Sequence, residues 1–229
     1  MEVHVLDLTK YKKVPKFIAV EGPIGVGKTT LAQLLADSFG YEIFLEKPAE
    51  NPFLADFYKN PSKNALATQL FFLFQRVKQI QELEQDDIFF PVRISDFLLD
   101  KDKLFAKATL SDQELALYEQ IYSYLSLNLL TPDLVIYLQA ESKTLFDRVI
   151  QRGVDIEKNI TLDYLDILNE SYKEFFLKYD RSPVLIVNSD FLDLVNNKND
   201  YILILDKLLE YFSDPQGRMM YFNPSPSLL

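Results

Sequence analysis

The stretch "GPIGVGKT", Gly22 to Thr29, limits what this 229-residue chain can fold into more than any other segment. It satisfies G-x-x-x-x-G-K-[ST], follows the apolar run "KFIAV" (16–20) and opens a helical pattern. A glycine turn in that setting aims backbone N–H groups at phosphate, and the start of the helix favours the negative charge. Gly22, Gly25, Gly27, Lys28, Thr29 and Thr30 are therefore the expected triphosphate-binding set. Lys28 would reach the terminal phosphates, and the Thr29 hydroxyl would ligate Mg²⁺.

The remaining pattern fits a fold that carries such a turn. "YEIFL" (41–45), "IFFPVRIS" (88–95), "DLVIYLQ" (133–139) and "PVLIVN" (183–188) read as further strands, mostly apolar rather than alternating. Strands of that kind are buried on both faces, as in a parallel sheet covered by helices. Helical patterns over 28–39, 62–85, 111–130, 141–152, 161–179 and 200–212 supply the covering. The expectation is one α/β domain over 1–229, a three-layer P-loop fold with a parallel sheet of about five strands. Residues 1–14 read as an N-terminal arm. Residues 213–229, with three prolines and a glycine, read as an extended C-terminal tail. Ligands of open sheets bind beyond the carboxyl ends of the strands, here just after Val20, Leu45, Ser95 and Gln139.

Composition narrows the chemistry. The chain has no cysteine and a single histidine, His4, which removes thiolate metal sites and argues against a Ser-His-Asp relay. Reaction steps then fall to carboxylates, Arg, Lys and bound ions. A net charge of -10 weighs against binding a nucleic acid polymer. No apolar run approaches the ~18 residues of a membrane helix, and the start "MEVHVLDLTKYKK" lacks the form of a secretory signal. A cytoplasmic protein with no membrane partner is expected.

The segment "LEKPAENPFLADFYKNP" puts Glu46 at the end of the second strand, where a carboxylate could take a proton from a hydroxyl attacking a γ-phosphate. From about Lys16 to Phe191 the chain resembles the deoxynucleoside kinases, particularly their bacterial deoxyguanosine and deoxyadenosine kinase branch. That resemblance makes Glu46 the base for the nucleoside 5′-hydroxyl and Tyr58, opening "YKNP", a sugar contact. Gln69, eleven residues on, would read the base, and Arg76, seven further, would lie beside it. Gln69, Leu73 and Arg76 share one helix face by their spacing. The segment "DRVIQRGVDIEKNITLDYL" (147–165) resembles the family's arginine-rich lid, with Arg148 and Arg152 closing over the transferring group and Glu157 holding the sugar. A third lid arginine found in some members is Val154 here.

The departure lies at the third strand. The family's Glu-Arg-Ser or Asp-Arg-Ser is replaced by Ser95, Asp96 and Phe97, with the acid displaced by one and the arginine missing. Asp96 is the candidate Mg²⁺-side carboxylate provided that the strand has ended or bulged, because neighbours on a strand face opposite ways. Arg93 either compensates for the missing arginine or is a salt-bridged structural residue. Phe191 in "VNSDF" either stacks on the ATP adenine or anchors the following helix.

The resemblance implies transfer of the γ-phosphoryl of ATP, with Mg²⁺, to the 5′-hydroxyl of a deoxyribonucleoside in a homodimeric enzyme. Purines are favoured by the branch, although an amide such as Gln69 can serve either base class. Two other classes fit parts of the pattern: a nucleoside monophosphate kinase of the thymidylate kinase type, and a non-catalytic nucleotide-binding module.

Overall fold

Alternate residues of the central strands enter two different cores. The chain, described by a computed structural model over residues 5–85, 92–125, 130–215 and 217–224, places β1 (Phe17–Glu21) beside β4 (Leu134–Gln139) and β5 (Val184–Asn188). Ile18, Val20, Ile136 and Leu138 pack on one side with Leu31 and Leu35 of α1 (Lys28–Phe39) and with Ile204 and Leu208 of α8 (Lys198–Ser213). Ala19, Val135, Tyr137 and Ile186 pack on the other with Leu168, Tyr172 and Phe176 of α7 (Leu162–Lys178). Burial on both faces is why these strands read as continuous apolar runs.

The sheet is parallel throughout and completed by β2 (Glu42–Phe44), β3 (Arg93–Ser95) and β6 (Met219–Phe222), in the order β2-β3-β1-β4-β5-β6. From β1 the chain winds to one edge through β2 and β3, then to the other through β4, β5 and β6. The turn after β1 therefore lies at the crevice where the winding reverses, the ligand site of such sheets. A third core beneath the β1–β3 side joins Leu73, Val77 and Ile80 of α3 (Pro61–Gln85), Ala106 of α4 (Lys101–Thr109) and Tyr118 and Tyr122 of α5 (Asp112–Leu125). The short α2 (Leu54–Lys59) and α6 (Ser142–Arg152) border the crevice.

The expected three-layer arrangement is thus present, with six strands where about five were expected. The sixth comes from the C-terminal segment: Met219–Phe222 pairs in parallel with Val184–Val187 instead of running free. Its prolines and glycine lie outside those four residues, so the breakers hid a strand between them. The third strand is described only from Arg93, and 88–91 of the expected strand lie outside the described residues, as do 126–129 of the expected helix 111–130, residues 1–4 with His4, and 225–229. The helix expected to be unbroken over 62–85 contains one non-helical residue, Asn64 (φ -129°, ψ 15°). In the arm, Leu6 N–H donates to the Ser38 carbonyl (2.8 Å) and Lys13 N–H to that of Phe212 (3.1 Å), which lays it along α1 and α8.

Candidate active site

The β1–α1 turn brings its backbone hard against neighbouring chain. A Cβ on Gly22 would stand 2.3 Å from the Leu138 carbonyl oxygen, and one on Gly25 would stand 2.7 Å from that of Leu145. Both residues have positive φ, so only glycine fits. Lys28 folds back over the turn, and its Nζ donates to the carbonyls of Gly22 (2.8 Å) and Pro23 (3.1 Å). Burial, then the charge of Lys101, push the Lys28 ammonium down to about 8, against the pull of Glu21, Glu46 and Asp96.

Two cavities open from this turn. The first, about 670 Å³, is lined by Gly25, Gly27 and Thr30, by Arg148 and Arg152 of α6, and by the loop after β5 with Phe191. Phe191 is 66% exposed there, open to a flat partner. Arg148 is already engaged: its guanidinium donates to the carbonyls of Ser189 (2.7 Å) and Leu192 (2.9 Å) and so braces that loop. The second cavity is lined by Lys28, Thr29, Glu46, Asp96 and, deeper, by Tyr58, Gln69, Arg76 and Glu157. Phe57, Phe72, Phe105 and Tyr164 give it apolar walls, suited to a flat ring with a polar edge. Gly25 and Arg152 line both cavities, so the two meet there.

In the second cavity, beside the turn, Thr29 Oγ1 donates to Asp96 Oδ2 (2.5 Å), and Asp96 Oδ1 accepts from the Glu46 N–H (2.7 Å). β3 ends at Ser95, which frees Asp96 from the strand's alternation and lets it turn to α1. A hydroxyl and a carboxylate converging beside a phosphate turn form an all-oxygen donor set, which suits Mg²⁺. Among the described residues no cluster of three or more His, Cys, Asp or Glu side chains forms a dedicated metal cage.

Glu46 lies two residues beyond β2 and is gripped by cations from two helices. Arg76 Nε donates to Glu46 Oε1 (2.7 Å), and the same guanidinium pairs with Asp102. Lys101 Nζ lies 3.4 Å from Glu46 Oε1, 3.5 Å from Oε2, and 3.5 Å from Glu21 Oε2. Burial by itself would raise the Glu46 carboxyl; Arg76, Lys101 and Lys28 outweigh it and hold the group down at about 2. Glu46 is thus ionised at neutral pH and able to accept a proton.

The spacing argument for α3 agrees with the geometry: Gln69, Leu73 and Arg76 are all buried on one face. Gln69 Nε2 donates to Thr109 Oγ1 (3.2 Å). Arg152, expected in a lid, pairs with Glu157 (2.5 Å), expected at the sugar, so the two satisfy each other. Arg93 does not line either cavity. It is buried between strands with its Nε 3.8 Å from Glu42 Oε2, which answers the alternative left open for it in favour of structure.

Lys101, Asp102 and Glu21 are the residues that sequence reasoning missed. Glu21 is fully buried and accepts from Gly22 N–H (2.8 Å), Leu98 N–H (2.7 Å) and Tyr172 OH (2.9 Å). Its place directly before the glycine turn was a usable signal, since a charged residue ending an apolar strand needs partners. "DKDK" (100–103) gave no comparable signal for Lys101 and Asp102.

Comparisons with known proteins agree with this geometry. A family model described as "Deoxynucleoside kinase" matches residues 18–213. A deoxyguanosine kinase of Bacillus subtilis (strain 168) is 38% identical over 193 residues, which cover 81% of this chain and 92% of that protein. A deoxyadenosine kinase of Dictyostelium discoideum is 34% identical, covering 77% of this chain and 74% of its own. Among solved structures, a deoxyadenosine kinase from M. mycoides with bound dATP superposes with a TM-score of 0.74 at 31% identity, covering 84% of this chain and 98% of that one.

Proposed function

The chain belongs to the deoxynucleoside kinase family, matched over residues 18–213, and from that we propose that it is a phosphotransferase that moves the γ-phosphoryl of ATP to the 5′-hydroxyl of a deoxyribonucleoside. The observation that carries the reading is the position of Glu46, an ionised carboxylate in the aromatic-walled cavity beside Lys28 and Thr29 of the glycine turn. The relatives named as deoxyguanosine and deoxyadenosine kinases favour a purine nucleoside and do not favour the thymidylate kinase type.

Catalysis of this transfer is mostly positioning and charge stabilisation. ATP lies in the larger cavity, its phosphates on Gly22, Gly25, Gly27, Thr29 and Thr30, with Phe191 against the adenine. The nucleoside enters the second cavity, held by Tyr58, Gln69, Arg76 and Glu157. Its 5′-hydroxyl gives a proton to Glu46 as the new oxygen–phosphorus bond forms and the bond to the β,γ-bridging oxygen breaks, leaving ADP. Lys28 and Arg152 stabilise the charge spread on the equatorial oxygens. Arg148, with Nη2 committed to the carbonyls of Ser189 and Leu192, joins them through its remaining guanidinium N–H groups. Thr29 and Asp96 are the residues that would hold Mg²⁺, which supplies neutralisation of the β- and γ-phosphates when bound.

A homodimer is part of the proposal, supported by the exposed Phe74 of α3 with Leu117 and Tyr124 of α5, and sedimentation velocity tests it. A cytoplasmic location is proposed as well; among the described residues no helix is long and apolar enough to cross a membrane. The deciding assay is steady-state turnover with ATP and Mg²⁺ over the four deoxyribonucleosides and thymidylate. A purine deoxynucleoside should be the best acceptor. Turnover of thymidylate alone, or of none of the five, overturns the reading.

A further inference from the structure

Lys101 is a lysine where local energetics disfavour one. It is the first residue of α4, where the helix end carries partial positive charge and a cation is unfavourable. It is also 2% exposed, and lysines are rarely buried without partners. Two carboxylates offset those costs, and they differ in kind. Glu21 already accepts from three neutral donors, in the glycine turn after β1, in the segment after β3 and on α7. Glu46 stands at the mouth of the nucleoside cavity, and there the charge of Lys101 meets an atom that could react.

The division of contacts on Glu46 is informative. Arg76 meets Glu46 through Oε1, by both Nε and Nη2, while Lys101 approaches Oε1 and Oε2 at 3.4 and 3.5 Å. Arg76 comes from α3 and Lys101 from α4, so the carboxylate is held from two sides against rotation. The Lys101 distances are long for a charged hydrogen bond, which leaves Oε2 open to an incoming hydroxyl. An ammonium has three donors, and this one lines the cavity while anchored at its far side to Glu21. The positions that end β3 supply no cation: Ser95 is capped onto the Phe97 carbonyl, Asp96 faces Thr29, and Phe97 is buried in the α3–α5 core.

We propose that Lys101 is a positioning residue for phosphoryl transfer, an ammonium tethered to the core by Glu21 that sets the orientation of Glu46 toward the acceptor hydroxyl. The inference rests on the reading of Glu46 as the base. Holding a base within a few tenths of an ångström of its productive position acts on the chemical step more than on ligand affinity.

Lys101→Met and Lys101→Arg test it, with kcat, KM for the best deoxynucleoside and ATP affinity by calorimetry measured for each. Lys101→Met should lower kcat by about 30- to 100-fold, no more than loss of the base itself, while KM and ATP affinity stay within about threefold. Lys101→Arg, which keeps the charge, should recover at least about tenfold of that loss. A folded Lys101→Met with kcat within about tenfold of the wild type overturns the proposal, as does a loss that appears equally in KM or that arginine does not rescue. If removing the ammonium strands Glu21 and the variant fails to fold, Glu21→Gln/Lys101→Met is compared with Glu21→Gln on the same thresholds. A wild type inactive on all four deoxynucleosides refutes the proposed function itself, and an active wild type beside an unaffected Lys101→Met refutes only the role of Lys101.

Discussion

Replacing Glu46 by glutamine perturbs catalysis and stability through one carboxylate, and the structure sets the size of both effects. A positioned general base contributes about 10²–10⁴ in rate. Glu46 is held at about 2 by Arg76, Lys101 and Lys28, so it is a weak proton acceptor and the lower end applies. We expect kcat to fall about 100-fold, close to 3 kcal/mol of barrier. The same depression bears on folding. A carboxyl lowered from 4.5 to about 2 stabilises the fold above its unfolded pKa, and the contribution is lost as pH falls through that window. The shift corresponds to about 3 kcal/mol at neutral pH as an upper bound, and the glutamine amide oxygen can still accept from Arg76, so a loss of about 2 kcal/mol is expected. For a chain of this size that lowers Tm by about 4–8 °C. Thermal unfolding of both proteins in metal-free buffer from pH 7 to pH 2.5 reads this directly. The wild type should be the more stable above about pH 4.5, with the difference shrinking steadily below. Equal Tm values at pH 7 would refute the charge argument. A kcat within tenfold of the wild type would refute the base.

Other outcomes follow from the same geometry. Free Lys28 sits at about 8, and a bound polyphosphate favours its charged form, so ATP binding at pH 8 should take up about half a proton and at pH 6.5 almost none. Calorimetry in buffers of different ionisation enthalpy measures that uptake. Asp96→Asn keeps the shape but removes the charge that Thr29 and the Glu46 N–H both meet, and should raise the Mg²⁺ concentration for half-maximal activity about tenfold; an unchanged Mg²⁺ titration would remove Asp96 from the metal site. Glu157→Gln weakens the pair with Arg152, and should raise ATP hydrolysis in the absence of nucleoside while lowering nucleoside phosphorylation, both read from ADP release.

Local rules reached as far as the glycine turn, the five apolar strands and the polar face of α3, because each is written in spacing that a strand or helix must obey. Phe17–Glu21, Leu134–Gln139 and Val184–Asn188 are buried on both faces, as their lack of alternation implied. β6 was obscured because four residues between breakers carry too little pattern to register, and they pair only through a neighbour thirty-odd residues back in the chain. Lys101 and Asp102 were obscured for another reason. "DKDK" reads as a solvated helix start, and the tertiary fold alone decides that Lys101 and Asp102 turn inward while Asp100 meets Arg181. The role of Arg93 depended on where β2 lay, a non-local fact. Arg148 could be singled out from its segment, but its hold on the Ser189 and Leu192 carbonyls could not be foreseen, since backbone acceptors carry no sequence mark.

The Arg152–Glu157 pair has one more consequence. Arg152, on the wall common to both cavities, is paired with Glu157 of the second, so on the proposed roles the cation that would steady the phosphoryl group is occupied by the acid that would grasp the sugar. Water offers Glu157 no replacement for the guanidinium, whereas the sugar hydroxyl of a nucleoside bound as proposed would. On those roles the two side chains would act as a coincidence gate, nucleoside binding releasing Arg152 for the triphosphate, which is the behaviour that Glu157→Gln tests.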